Sequence, residues 1–153
     1  MSFSMKLLAA LGCGLIAGVF FAFSTFMMKA LAQQTTSQGI ATMQAINITV
    51  INPWFLTVFL GTAIACLGVA IAVLFNWAQP NAIYLLVGSL LYLVGTFGVT
   101  IAFNVPLNDA LAIVDPNRPD GATLWAKYLT DWTFWNHVRT VAAIVATLAF
   151  TIA

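Results

Sequence analysis

The chain has 153 residues, of which 62% are hydrophobic and only 6% charged, with no Glu anywhere; a soluble domain carries about 25% charged residues. So few charges cannot cover a folded surface in water, which excludes a water-soluble monomer, whereas lipid demands that charge be absent. A net charge of +1 offers no concentrated basic patch, and nucleic-acid binding is set aside with it.

No formal charge lies between Lys29 and Asp109. The expected product is all-α: one integral membrane domain over residues 1–153, folded as a transmembrane four-helix bundle with helices at about 6–31, 52–77, 82–104 and 130–153. The first apolar run, Leu7 to Met28, is bracketed by Lys6 and Lys29, whose stems can snorkel to the two interfaces. Ala30-Leu31-Ala32 before Gln33 fits the small-residue rule for signal cleavage. However, the run exceeds the roughly 7 to 15 residues of a signal core, and Lys29 stands where that region is neutral, so a retained helix is expected.

Gln33 to Val50 is polar but places Ile40, Met43, Ile46 and Val50 at spacings of three, three and four. That pattern predicts a short amphipathic helix lying against the bundle or the headgroups. Asn52-Pro53 then starts the second long helix, because Asn is a good N-cap and Pro is favoured at the first helical position. The uncharged turn around Pro80 makes helices two and three a tight antiparallel hairpin. Gly14, Gly18, Gly61, Gly68, Gly88 and Gly95 are expected to let helices approach closely. Cys13 and Cys66 fall in apolar stretches and read as small hydrophobes; with one His in the chain they make no zinc site.

The last apolar run, Val138 to Ala153, spans only about 24 Å against a hydrocarbon core of about 30 Å. Starting the helix near Thr130 or Asp131 supplies the missing length. It also sets Trp132 and Trp135 in the interfacial belt and draws Asn136, His137 and Arg139 to the membrane edge or just inside. The segment 104–130, with Asp115-Pro116-Asn117 and Arg118-Pro119-Asp120-Gly121, is expected as the one substantial soluble loop. Lys29, Arg118 and Lys127 on the loop side outnumber Lys6 on the side of the termini, which favours loops in the cytoplasm.

Polar side chains at membrane depth are costly and read by default as functional. At 100° per residue, with Asn136 at zero, Trp132 falls at about −40°, Arg139 at about −60° and His137 at about +100°, one broad face. Asn104 and Asn108 lie four apart, and Pro106 between them is expected to kink or break helix three and free backbone carbonyls. Asn47, Asn52, Ser24 and Thr25 belong to the same layer. Together these residues predict a polar pocket at one end of the bundle.

The phrase Trp125-x-x-Tyr128-x-x-x-Trp132-x-x-Trp135-Asn136-His137-Val138-Arg139, with Asn104-Val105-Pro106-Leu107-Asn108, the Asn47 to Asn52-Pro53 region and Gly18-Val19-Phe20-Phe21-Ala22-Phe23-Ser24, resembles the anthrone oxygenase-like family. These are small four-span membrane proteins, most of them catalogued as a domain of unknown function. The resemblance implies oxidation of a planar phenolic compound by O₂: fungal members convert anthrones to anthraquinones without a recognised cofactor, while bacterial members lack an assigned substrate.

For that chemistry His137 is the candidate base, since its ordinary pKa suits proton transfer near neutral pH. Arg139 and Asn136, with Asn104 and Asn108, would stabilise oxyanion charge. Asn47 and Asn52 join them as binding residues, and Trp125, Tyr128, Trp132 and Trp135 would stack on the rings. No metal or cofactor is expected; a lone His would allow one axial haem ligand but supplies no second. The alternative is a non-catalytic protein holding a lipid, quinone or partner subunit in the same pocket. Either way the expected partners are a hydrophobic small molecule or lipid and the membrane, expected to be the cytoplasmic membrane of a bacterium, with room for a homo-oligomer.

Overall fold

A computed structural model describes residues 3–118 and 121–153. The described residues form four long helical rods and one short helix, without a strand. They are α1 (Phe3–Ala32), α2 (Thr36–Thr49), α3 (Pro53–Phe75), α4 (Ala82–Ala112) and α5 (Gly121–Ile152). Three of them, α1, α3 and α4, are long and apolar enough to cross a membrane. The length of α5, about 48 Å, is also sufficient, but Asn136, His137 and Arg139 interrupt its apolar run.

Local chemistry sets the helix starts. The Asn52 side chain accepts from the Phe55 amide at 3.1 Å and Pro53 opens α3; Thr35 caps α2 by accepting from the Gln38 amide. The α3–α4 turn is closed by Asn81, whose φ of 61° is a left-handed conformation that Asn tolerates. Lys6 Nζ and Asn81 Nδ2 both donate to the Ala153 carbonyl at 2.9 Å. The start of α1, the end of α5 and the α3–α4 turn therefore share one end of the molecule, and α2, the C-terminal part of α4 and the start of α5 share the other.

The packing is in two zones. Toward the first end, Ala9, Cys13, Ile16, Phe59, Cys66, Val69, Tyr92 and Phe150 form an apolar core. At the other, Met28 and Leu31 of α1, Ile40 and Met43 of α2, Leu111 of α4 and Trp125, Tyr128 and Trp132 of α5 pack together. Close approach falls partly on glycines other than those expected. A Cβ at Gly12 would lie 2.0 Å from Thr62 Oγ1, and one at Gly95 2.7 Å from the Ala142 Cβ, whereas Gly18, Gly61 and Gly68 have nothing within 4 Å.

Two expectations are corrected. Helix α5 begins at Gly121 rather than near 130, and α4 runs to Ala112, so the expected loop over 104–130 shrinks to the short stretch after Ala112; its Pro119-Asp120 turn lies outside the described residues. The reason is an apolar stripe, Trp125, Tyr128 and Trp132, that needs a helix to reach α2. Nor does Pro106 break α4. Residues Leu91–Gly98 and Thr100–Asn104 are wound as π-helix, and Pro106 stands at the head of the α-helical stretch that resumes at Val105. The wider turns absorb the missing donor without ending the helix. A third π stretch, Phe23–Met27, interrupts α1. Such turns are rare and gather at functional sites.

Candidate functional site

All three π-helical stretches flank one buried polar layer, and its centre is Arg139. The side chain is only 5% exposed. Its Nε donates to Asn136 Oδ1 at 2.9 Å and its Nη1 to Thr100 Oγ1 at 3.3 Å. The guanidinium carbon sits 3.8 Å from the Phe20 ring centre and 4.8 Å from that of Trp132, contacts that offset part of the cost of burying the charge. Among the described residues no carboxylate pairs with it.

Asn136 is fully buried and anchors this arrangement to α1: its Nδ2 donates to the Phe20 carbonyl at 2.9 Å and to Ser24 Oγ at 2.7 Å. Ser24 and Thr140 hydroxyls meet at 3.0 Å. On α4, Thr96 Oγ1 donates to the Arg139 carbonyl and Thr100 Oγ1 to the Thr96 carbonyl. A second cluster adjoins the first. Asn108 Oδ1 accepts from both Tyr128 Oη and Trp132 Nε1 at 2.8 Å, and Asn47 Nδ2 donates to Tyr128 Oη at 3.5 Å.

Between these clusters lies a cavity of about 250 Å³ bounded by α1, α2, α3, α4 and α5. Phe20, Phe23, Met43, Phe55 and Phe59 make its walls apolar, while Asn47, Thr100, Asn108, Trp132 and Arg139 supply its polar edge. A guanidinium has five N–H donors, and the described residues engage two. The others remain for whatever occupies the cavity, and an occupant with an oxygen acceptor or an anion would complete them.

The other sequence candidates divide cleanly. Asn136 does not line the cavity but holds Arg139. Asn104 is fully buried, donates to the Trp132 carbonyl at 3.2 Å and keeps an unpartnered Oδ1; it stands behind the wall. Tyr128 likewise acts from behind, through Asn108. Asn52 spends its side chain on the cap of α3 and on the Thr49 and Val50 carbonyls. Trp125 is packed over Gly39, where a Cβ would lie 2.8 Å from its ring. Trp135 stacks on Phe103 with ring centres 3.6 Å apart, away from the cavity.

His137 is not brought to the site either: it is exposed. At 100° per residue the buried side chains of α5 span roughly −140° to +40° from Asn136. The arc is centred near −50°, on the Trp132–Arg139 line, which puts His137 about 150° away. Residues the sequence reading missed are Thr96, Thr100, Phe20 and the apolar wall from α2 and α3. Thr96, Thr100, Asn104 and Asn108 recur every four residues in an apolar helix, a stripe that marks the polar side of α4.

Among the described residues no three His, Cys, Asp or Glu side chains gather into a metal-binding group. The fold and site thus define an α-helical protein with membrane-crossing helices and a buried arginine facing an apolar cavity. The sequence model of the anthrone oxygenase family matches residues 54–149, which hold half of the residues lining the cavity, Arg139 among them, and the chain belongs to that family. No curated protein and no solved structure matches it.

Proposed function

We propose that the protein is a membrane-embedded oxygenase or oxidase that acts, without a bound cofactor, on a planar phenolic compound of the anthrone or quinol type held in the Arg139 cavity. The observation that carries this reading is the guanidinium itself. It is buried, lacks a carboxylate partner among the described residues, and turns its spare donors to an aromatic-lined cavity. Family membership points to the same chemistry.

An anthrone methylene is acidic because losing its proton gives an aromatic enolate. In the proposed reaction that proton passes to water at the open side of the cavity, and the enolate oxygen takes the N–H groups of Arg139. Fixed donors aimed at developing charge in a site of low dielectric are the strongest means of lowering such a barrier. The electron-rich ring then reduces O₂ and forms a C–O bond at the former methylene carbon. The resulting hydroperoxide loses water as its O–O bond breaks and the second C–H proton departs, leaving a quinone carbonyl. Over the sequence one CH₂ group and one O₂ give one C=O and one water.

The reading takes α5 as the fourth membrane crossing. Phe134, Val141, Leu148 and Ile152 on its outer side are exposed, as lipid contact requires. The termini then lie across the membrane from the segment after Ala112, which Lys29, Arg118 and Lys127 favour for the cytoplasm. Thiol labelling of Phe3→Cys and Arg118→Cys in sealed vesicles tests this; labelling from the same side refutes it.

The test of function is oxygen uptake with emodin anthrone by purified wild-type and Arg139→Gln protein, corrected for spontaneous oxidation. Loss of roughly 10²- to 10³-fold in the variant, the usual worth of an oxyanion donor, supports the reading. Equal rates reject Arg139. No wild-type rate with a panel of anthrones and hydroquinols rejects catalysis in favour of a binding protein.

A further inference from the structure

We infer that the Arg139 cavity is the inner half of a two-part site that reads the orientation of its ligand, with an oxyanion head at Arg139 and a hydroxyl-bearing tail held near Asp109 at the mouth. The inference rests on the functional reading above and adds the class of molecule and the residues that select it.

Outside the inner cavity, between α2 and α4, lies a second, wider one of about 580 Å³, lined by Gln44, Asn47, Asn108 and Asp109. Asn47, Ile51, Val105 and Asn108 line both, so the two are adjoining chambers. An apolar cavity of about 150 Å³ accommodates benzene; the inner chamber, about 250 Å³, therefore takes roughly two fused rings. A longer planar molecule with its head at Arg139 must put its far ring in the outer chamber.

The hydrogen-bond inventory of the outer chamber fixes what that far ring carries. Gln44 Nε2 donates to the Leu111 and Val114 carbonyls at 2.9 and 2.8 Å. Carbonyls only accept, so both amide hydrogens are engaged and Oε1 is left as an acceptor. Asn108 Oδ1 accepts from the Trp132 indole, which only donates, and this sets the orientation of that amide. Tyr128 Oη gives its hydrogen to the same Oδ1, so it can only accept from Asn47 Nδ2, and Asn47 Oδ1 is also left as an acceptor. With the Asp109 carboxylate, the mouth offers three acceptor groups against two amide donors, Asn108 Nδ2 and the second hydrogen of Asn47 Nδ2. The inner end is the reverse, a cation with unused donors. A ligand matching both carries an acidic O–H or a carboxylate on one end ring, for Arg139, and an O–H donor on the other. A carboxylate on the far ring would meet the charge of Asp109 and find few donors.

The probes are 2,6-dihydroxyanthraquinone, 2-hydroxy-6-methoxyanthraquinone and 6-hydroxyanthraquinone-2-carboxylate, whose binding is read from quenching of tryptophan fluorescence in detergent. Wild-type protein is expected to bind the dihydroxy compound about tenfold more tightly than the ether, beyond the twofold statistical factor, and the hydroxy-carboxylate, which can set its carboxylate on Arg139 and its hydroxyl at Asp109, also more tightly than the ether. Asp109→Ala, at an exposed position, should reduce the dihydroxy-to-ether preference to about twofold. Equal binding of all three, preference for the ether over either of the others, or an unchanged dihydroxy-to-ether preference in Asp109→Ala overturns the inference. Loss of the common head contact in Arg139→Gln, tested beside them, shows whether the inner reading survives: if it does, only the outer half has failed. If no probe binds the wild type, both fall.

Discussion

Arg139 Nε donates to the Oδ1 of Asn136 at 2.9 Å, one turn back along the same helix. Asn136 in turn hands both of its amide hydrogens to α1, at the Phe20 carbonyl and Ser24 Oγ. The direction of the guanidinium is thus decided by a side chain that does not itself line the cavity. In the proposed function Asn136 is therefore a positioning residue and Arg139 the group that meets the ligand.

Asn136→Leu should consequently cost more than its lost contacts. It leaves the Arg139 Nε–H and the Phe20 carbonyl without partners in a buried layer, at about 1 to 3 kcal/mol each if neither relaxes. We expect a lower melting temperature in detergent and about tenfold slower oxygen uptake. Retained turnover in a folded Asn136→Leu protein would show that Arg139 needs no such support.

Replacement of His137 separates the site built on Arg139 from one that needs a histidine base. Since His137 is exposed and far round the helix from Trp132, His137→Ala should change oxygen uptake by less than about twofold, and stability by less than about 0.5 kcal/mol. A fall of 10²-fold or more, the worth of a general base, would return proton abstraction to His137.

Two glycines that look alike in the sequence should behave differently. Gly12→Val drives a side chain into Thr62, where even a Cβ would lie 2.0 Å from Oγ1, and should destabilise by about 1 to 3 kcal/mol. Gly61→Ala enters open space and should be close to neutral. Thermal melts in the same detergent check both; similar losses would contradict the close α1–α3 packing.

The legible parts of the fold are those set by nearest-neighbour chemistry. Asn52-Pro53 announces the start of α3, and Lys6 and Lys29 bracket an apolar run. Ile40 and Met43 mark the buried side of α2. What was hidden depends on which way a helix turns and how tightly it is wound. The polar residues of α5 suggest one face centred on Asn136, but burial is centred nearer Arg139, which leaves His137 outside the site. Pro106 suggests a break because nothing local announces π-helical winding before it. Trp125 and Trp135 were expected to stack on a ligand, but Gly39 and Phe103 claim them. Of the polar stripe from Thr96 to Asn108, the sequence reading takes up only Asn104 and Asn108, although Thr96 and Thr100 stand at the same spacing.

The central claim is that Arg139 stabilises an oxyanion inside the cavity, and absorption titration of bound 2-hydroxyanthraquinone tests it without any turnover. The phenol and its phenolate differ in colour, so ionisation can be followed on the protein. A cation beside the oxygen favours the charged form, and the apparent pKa of the bound phenol should fall by at least about one unit relative to the free dye. Arg139→Gln should remove that shift, or reverse it, since an apolar cavity alone disfavours the phenolate. A bound phenol that ionises at the same or higher pH in the wild type, or a lowered pKa that persists in Arg139→Gln, would contradict the account.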